Sequence, residues 1–216
     1  LIPEPMLRVT EIFRSIQGES THAGLPCAFI RLTGCSLRCV WCDTAYAFQG
    51  GAEMTVQAAA DRVLELGTRL VEITGGEPLE QEAVHPLIAR LLEAGRIVLL
   101  ETGGHVPLDR VDPRVVKIVD VKAPGSGMRQ ANLPENLEHL LPRDEVKFVL
   151  ADRGDFDWAL DLVSARRLDE RHTVTFSPVW GALPADELAA WIRDSGRSIR
   201  LGLQLHKILW GEEPGR

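Results

Sequence analysis

The stretch GCSLRCVWCDTAYAF, residues 34–48, holds three of the chain's four cysteines. Cys35, Cys39 and Cys42 follow the spacing C-x3-C-x2-C. Thiols this close in sequence suggest metal or redox chemistry, since inert buried cysteines do not cluster. A closed zinc site takes four ligands, usually as two C-x2-C-like pairs, and only one such pair is present. Cys27 opens a separate apolar run and would lie about 20 Å from the loop along an extended strand. A redox C-x2-C motif would use Cys39 and Cys42 and leave Cys35 idle. Iron–sulfur clusters are held by thiolates. Three thiolates on a cubane of four irons leave one iron free for a substrate or cofactor, so the count of three is itself informative.

Such a loop needs a scaffold. Short apolar, β-branched runs predict strands over 27–34, 70–76, 96–104, 115–124, 145–151, 173–178 and 199–206. Amphipathic runs predict helices over 55–67, with Thr55 as N-cap and Gly67 as stop, and over 79–95, ending at Gly95. Residues 154–166 and 184–194 read the same way, and 123–144 reads as a loop with at most short helices. Strand and helix in alternation imply right-handed parallel βαβ units. The strands stay apolar until their carboxyl ends. There they finish in Thr33-Gly34-Cys35, Thr74-Gly75-Gly76-Glu77, Glu101-Thr102, Asp120 and Lys122, Ser177-Pro178, and Gln204 and His206. Active sites of parallel α/β folds lie at those ends, so these residues are expected to share one site.

Composition bounds the function. The net charge is −7, from 24 Lys+Arg against 31 Asp+Glu, which argues against broad nucleic-acid binding. No apolar run approaches the roughly 20 residues of a membrane span. The opening LIPEPMLRVT has neither region of a secretory signal, and few, clustered cysteines suit a reducing cytoplasm. The length suits one domain, here 1–216. Within 27–33, Ala28, Ile30 and Leu32 share one face and Cys27, Phe29, Arg31 and Thr33 the other. Helices should cover the first face, which turns Arg31 inward. There it needs a ligand carboxylate or an internal partner such as Glu72 or Glu101. Gly75 and Gly76 suit either a turn or close backbone approach to a ligand. Asp43 and Thr44 could be a helix N-cap pair. Glu101 and Lys147 are interior-strand charges with no assigned role.

The cysteine spacing, with Trp41 just before the last cysteine, and TGGEP (74–78) resemble the two signatures of the radical S-adenosylmethionine (SAM) superfamily. EIFRSIQGES (11–20), FIRLTGC (29–35), CDT (42–44), ETGG (101–104), VKAP (121–124), EVKFV (145–149) and QLHK (204–207) follow in an order similar to the 7-carboxy-7-deazaguanine synthase family. The resemblance implies a partial barrel of about six parallel strands, a 4Fe-4S cluster, SAM used catalytically, Mg2+, an electron donor and a homodimer. It implies a lyase that turns 6-carboxy-5,6,7,8-tetrahydropterin into 7-carboxy-7-deazaguanine with loss of ammonia, a precursor of queuosine. It puts the cluster on Cys35, Cys39 and Cys42, and Mg2+ on Thr44. SAM contacts fall on Trp41 to Asp43, Gly76, Glu77, Asp120, Val121, Lys122, Ser177, Pro178, Val179 and Trp180. Substrate contacts fall on Ile16, Gln17, Gly18, Glu19, Arg31 and Thr74, with Trp210 as the C-terminal candidate. The chain departs from the family with Ser20 in place of Gly, Asp120-Val121-Lys122 in place of S-P-K, and Gly103 in place of Asn. The rivals are a radical SAM activase of a glycyl-radical enzyme, which needs a protein-docking groove, and a zinc-stabilised binding module.

Overall fold

The computed structural model describes residues 4–211, Glu213 and Gly215. Residues 1–3 of the opening segment and parts of the C-terminal WGEEPGR lie outside them. The strands are β1 (Met6–Ile16), β2 (Pro26–Leu32), β3 (Ala52–Thr55), β4 (Leu70–Gly75), β5 (Ile97–Thr102), β6 (Val116–Asp120), β7 (Glu145–Leu150), β8 (Thr173–Pro178) and β9 (Ile199–Leu201). They form one sheet in the order β3-β1-β2-β4-β5-β6-β7-β8-β9. From β2 onward the neighbours are parallel, while β1 runs antiparallel to β2 and β3. Six parallel strands of five to seven residues, with a three-residue β9 beyond them, make a partial barrel.

The helices are α1 (Val56–Glu65), α2 (Val84–Glu93), α3 (Arg153–Arg166), α4 (Ala185–Ser195) and α5 (Leu205–Trp210). The Thr55 hydroxyl caps α1 by accepting from the Ala58 amide at 3.1 Å. Asp152 caps α3 through the Asp155 amide at 3.0 Å. α2 is shorter than predicted because Pro78–Glu80 closes a 3-10 turn ahead of it. Residues 123–144 hold only short 3-10 turns, as expected.

Alternation along β2 splits the core. Ala28, Ile30 and Leu32 join the large outer core under the helices, whereas Cys27 and Phe29 pack inside with Leu70, Leu99, Val116 and Ile118. Above this small inner apolar layer the interior turns polar. Residues 17–21 cross it as a strap. Gln17 donates to Glu72 of β4, Glu19 pairs with Lys147 of β7, and the Thr21 hydroxyl donates to Glu145 of β7 at 2.6 Å.

Two elements differ from the sequence reading. β1 and β3 were not predicted, because the polar residues of β1 hide its alternation. The predicted strand 199–206 ends at Leu201, although its leucines continue a two-residue period. A Cβ at Gly202 would stand 2.5 Å from Ser177 Oγ, so the chain lies close over β8 there. The Leu205 amide then donates to the Gly18 carbonyl at 3.0 Å, and α5 begins. His206 is therefore helical, and a Cβ at Gly18 would come 2.2 Å from its Nδ1.

Candidate active site

A cavity of about 450 Å³ opens at the carboxyl ends of the parallel strands, within the range of small-molecule sites. Cys35, Cys39 and Cys42 all face it, on a loop that leaves β2, and all three are free thiols. Burial pushes the Cys35 thiol up to about 11. Burial also raises Cys39, against the pull of the nearby Lys122 ammonium. Ligation at these positions would therefore release protons. Cys27 is 0% exposed inside the sheet, with its thiol donating to the Ala28 carbonyl at 3.4 Å. Among the described residues no three His, Cys, Asp or Glu side chains close around a single metal ion. The donor set is three soft thiols with an open side, which fits a cluster with a free corner better than a closed zinc site.

The loop rests on the end of β4 through backbone. Gly76 N donates to Leu32 O at 3.0 Å and Glu77 N to Gly34 O at 2.7 Å. A Cβ at Gly76 would stand 1.9 Å from Gly34 O, a backbone atom that cannot rotate away. Close backbone approach is thus the reason for this glycine, and the neighbour is the cysteine loop. Gly76→Ala should cost about 1–3 kcal/mol, as overpacking does, and should also displace the loop. Thermal melting and iron uptake check this together; a variant with wild-type melting and iron content would show that the contact yields.

Glu77, expected beside the SAM amino group, is 0% exposed. Its carboxylate accepts from Thr102 Oγ1 at 2.9 Å, Gly103 N at 2.8 Å and Leu79 N at 3.1 Å. It ties the ends of β4 and β5 together, so its oxygens are already engaged. Val121 points into the outer core, and its amide donates to the Lys147 carbonyl at 2.8 Å. Asp120 and Lys122 on either side of it face the cavity and pair at 2.9 Å. Asp120 Oδ1 is buried with no hydrogen-bond partner, an acceptor facing a ligand-sized space. Ser177 is buried beneath Gly202 and does not reach the wall, nor does Trp210 at the end of α5. The other expected contacts line the cavity: Ile16 to Glu19, Trp41, Asp43, Thr44, Thr74 and Pro178 to Trp180.

Arg31 faces the cavity as its alternation requires, but its protein partner is neither Glu72 nor Glu101. Its Nε donates to Glu11 Oε1 at 2.7 Å. The Tyr46 hydroxyl donates to the same oxygen at 2.8 Å. Glu11 stands directly opposite Arg31 in the β1–β2 register, so the pair was legible only once β1 was known to be a strand. The terminal guanidinium nitrogens make no hydrogen bond among the described residues, which leaves the edge that binds carboxylates two-pronged. At the mouth, Lys207 of α5 pairs with Asp43 at 2.9 Å. Burial opposes the Asp43 charge, but Lys207 outweighs it and holds the carboxyl below its usual range.

The floor holds two neighbouring carboxyls, Glu72 and Glu101. Burial raises Glu72 well above the usual carboxylate range, and the Glu101 charge adds to this. Partial burial also opposes the Glu101 charge, yet Lys147, at 2.9 Å, lowers it. Folded Glu72 therefore keeps a proton that the unfolded chain has lost above its ordinary pKa. Stability should fall as pH rises from the normal glutamate pKa through the raised one. Glu72→Gln, neutral at every pH, should flatten that part of the curve, measured by denaturant midpoints across pH. An unchanged slope would place the titration elsewhere.

Comparison with known proteins now decides the family. The radical SAM superfamily model matches residues 29–120. The 7-carboxy-7-deazaguanine synthase of Koribacter versatilis (strain Ellin345) is 44% identical over 222 residues, covering 96% of this chain and 98% of that protein. That of Chlorobaculum tepidum is 43% identical, covering 97% of each. The chain belongs to the 7-carboxy-7-deazaguanine synthase family. The crystal structure of QueE from Escherichia coli has the same fold, with a TM-score of 0.74 at 24% identity over 93% of this chain and 95% of that one. Membership in this radical SAM family implies a 4Fe-4S cluster and SAM, and the three thiols and the unpartnered Asp120 oxygen fit them. Glu11 and Lys207 lie inside quoted motifs with no role given to them there, and Tyr46, like Phe13, Phe48 and His105 of the cavity wall, is not singled out by the motifs. No helix among the described residues is long and apolar enough to cross a membrane.

Proposed function

We propose that this chain, acting as a single radical SAM domain in the cytoplasm, converts 6-carboxy-5,6,7,8-tetrahydropterin to 7-carboxy-7-deazaguanine with loss of ammonia, feeding 7-deazapurine and queuosine synthesis. The observation that carries the reading is Arg31: a guanidinium held by one edge in the same cavity as the three thiols, with its other edge open to a carboxylate. Cys35, Cys39 and Cys42 would hold the cluster, which when bound with SAM supplies a reductive cleavage that starts radical chemistry. Glu11 and Tyr46 hold Arg31 still, so that little side-chain entropy is lost when the substrate carboxylate docks. Gln17 and Glu19 are fixed by Glu72 and Lys147 and present a rigid edge to the pterin. Asp120 would accept from a donor on SAM.

Mg2+ belongs to the same proposal. Thr44 precedes the short turn Ala45–Phe48 without a side-chain capping bond, and its hydroxyl lies 3.8 Å from Cys42 Sγ. It is thus available to one ion that keeps most of its waters. Thr44→Val should raise the Mg2+ concentration needed for turnover while iron content stays fixed; a wild-type Mg2+ response would remove Thr44 from the metal's ligands. The working form is taken to be a homodimer. Leu201, Leu203, Ile208 and Leu209 are exposed beside the edge strand β9 and would be covered by a second copy, which light scattering tests. The deciding assay is anaerobic. Reduced protein, SAM and 6-carboxy-tetrahydropterin should yield 7-carboxy-7-deazaguanine by mass spectrometry. Zinc in place of iron and sulfide would overturn the reading in favour of a binding module.

A further inference from the structure

Resting on the cluster reading above, we propose that Arg38 is the positioning residue of the cysteine loop, clasping its backbone and setting a fixed positive charge beside the cluster. Arg38 stands just before Cys39. Its side chain folds back on the loop, where Nη1 donates to the carbonyls of Cys35 at 2.5 Å and Leu37 at 2.6 Å. The guanidinium also lies over the Phe48 ring, 4.3 Å from its centroid, within the range of a cation–π contact.

The loop needs such a clasp. Among the described residues no backbone–backbone hydrogen bond begins or ends on residues 35–38. Side chains do that work instead. Glu80 accepts from Ser36 N at 2.9 Å, the Met128 sulfur accepts from Arg38 N at 3.4 Å, and Arg38 takes the two carbonyls. Fixing the Cys35 carbonyl fixes the peptide that carries the first thiol.

The charge has its own consequence. Arg38 forms no ion pair among the described residues, and the carboxylate that holds the loop, Glu80, is engaged by the Ser36 amide. Net charge and hydrogen bonding around a cluster set its reduction potential, and a neighbouring cation favours the more negative, reduced state. Arg38 itself is exposed, and solvent screening keeps the shift modest.

The test separates the two roles. Wild type, Arg38→Met and Arg38→Lys are loaded anaerobically with iron and sulfide. Iron release to a chelator and the midpoint potential by spectroscopic titration are then measured, with circular dichroism of the unloaded chains as the check on folding. Arg38→Met should release iron at least tenfold faster and shift to lower potential. Arg38→Lys keeps the charge but lacks the planar fork, so it should hold a near-wild-type potential while releasing iron severalfold faster. Wild-type release and potential in Arg38→Met would overturn the proposal. So would a potential in Arg38→Lys as low as that of Arg38→Met. Wild type that takes up no iron would overturn the cluster reading itself, before any variant is compared.

Discussion

Alanine at Cys35, Cys39 or Cys42 should each strip the reconstituted protein of iron and abolish reductive cleavage of SAM. The three thiols face one cavity, and no fourth thiol stands by to replace a lost one. A cubane already short of one protein ligand cannot lose a second and keep a single open corner. Cys27→Ala is the matched control. Cys27 is fully buried in the inner core, so its loss should cost on the order of 1 kcal/mol of stability and leave iron content unchanged. Iron and sulfide analysis after gel filtration reads all four variants. Loss of the cluster in the Cys27 variant, with the fold intact by circular dichroism, would sink the three-thiol assignment.

Arg31→Ala should weaken the carboxylated substrate by about 2–5 kcal/mol, the usual cost of truncating one side of a desolvated charge pair. That is about 30-fold to several thousandfold in affinity. SAM should bind nearly as before, because Arg31 reaches the cavity from β2 and its neighbours are Glu11 and Tyr46. Arg31→Lys should rescue little. One ammonium cannot satisfy Glu11 and also grip a carboxylate at two points. Calorimetric titration with an unreactive carboxypterin and, separately, with SAM distinguishes the outcomes. Equal loss for both ligands would mean that Arg31 only holds β1 to β2.

Much of this was legible before the structure. The cysteine loop, the TGGE turn and most of the polar strand ends, Thr33 and Ser177 excepted, converge on one cavity, because parallel strands put all their carboxyl ends on one side. The alternation in β2 correctly turned Arg31 inward. Its partner was hidden because β1 mixes Arg8, Thr10, Glu11 and Arg14 with its apolar residues, so no clean period shows. α5 was misread for the opposite reason. I-R-L-G-L-Q-L-H alternates like a strand, yet contact with Gly18 and the close passage at Gly202 turn the chain into a helix. That turn carries Lys207 to Asp43, a pairing across 164 residues of chain that no local pattern encodes. The engagement of Glu77 was equally out of reach, since a motif names a carboxylate but not which donors saturate it.

The strap across the barrel interior bears on the order in which the molecule can be built. Gln17 waits 55 residues for Glu72, but Thr21 waits 124 for Glu145 and Glu19 waits 128 for Lys147. As the chain emerges from the ribosome, the cysteine loop and the TGGE turn that supports it are synthesised long before β7 appears. Contacts this distant are slow to form, and an ionised side chain is costly to bury without its counter-ion. The floor of the cavity is therefore laid late. A nascent chain that ends before β7 would carry all three proposed iron ligands yet lack Glu145 and Lys147, so metal capture and substrate competence would mature at different times.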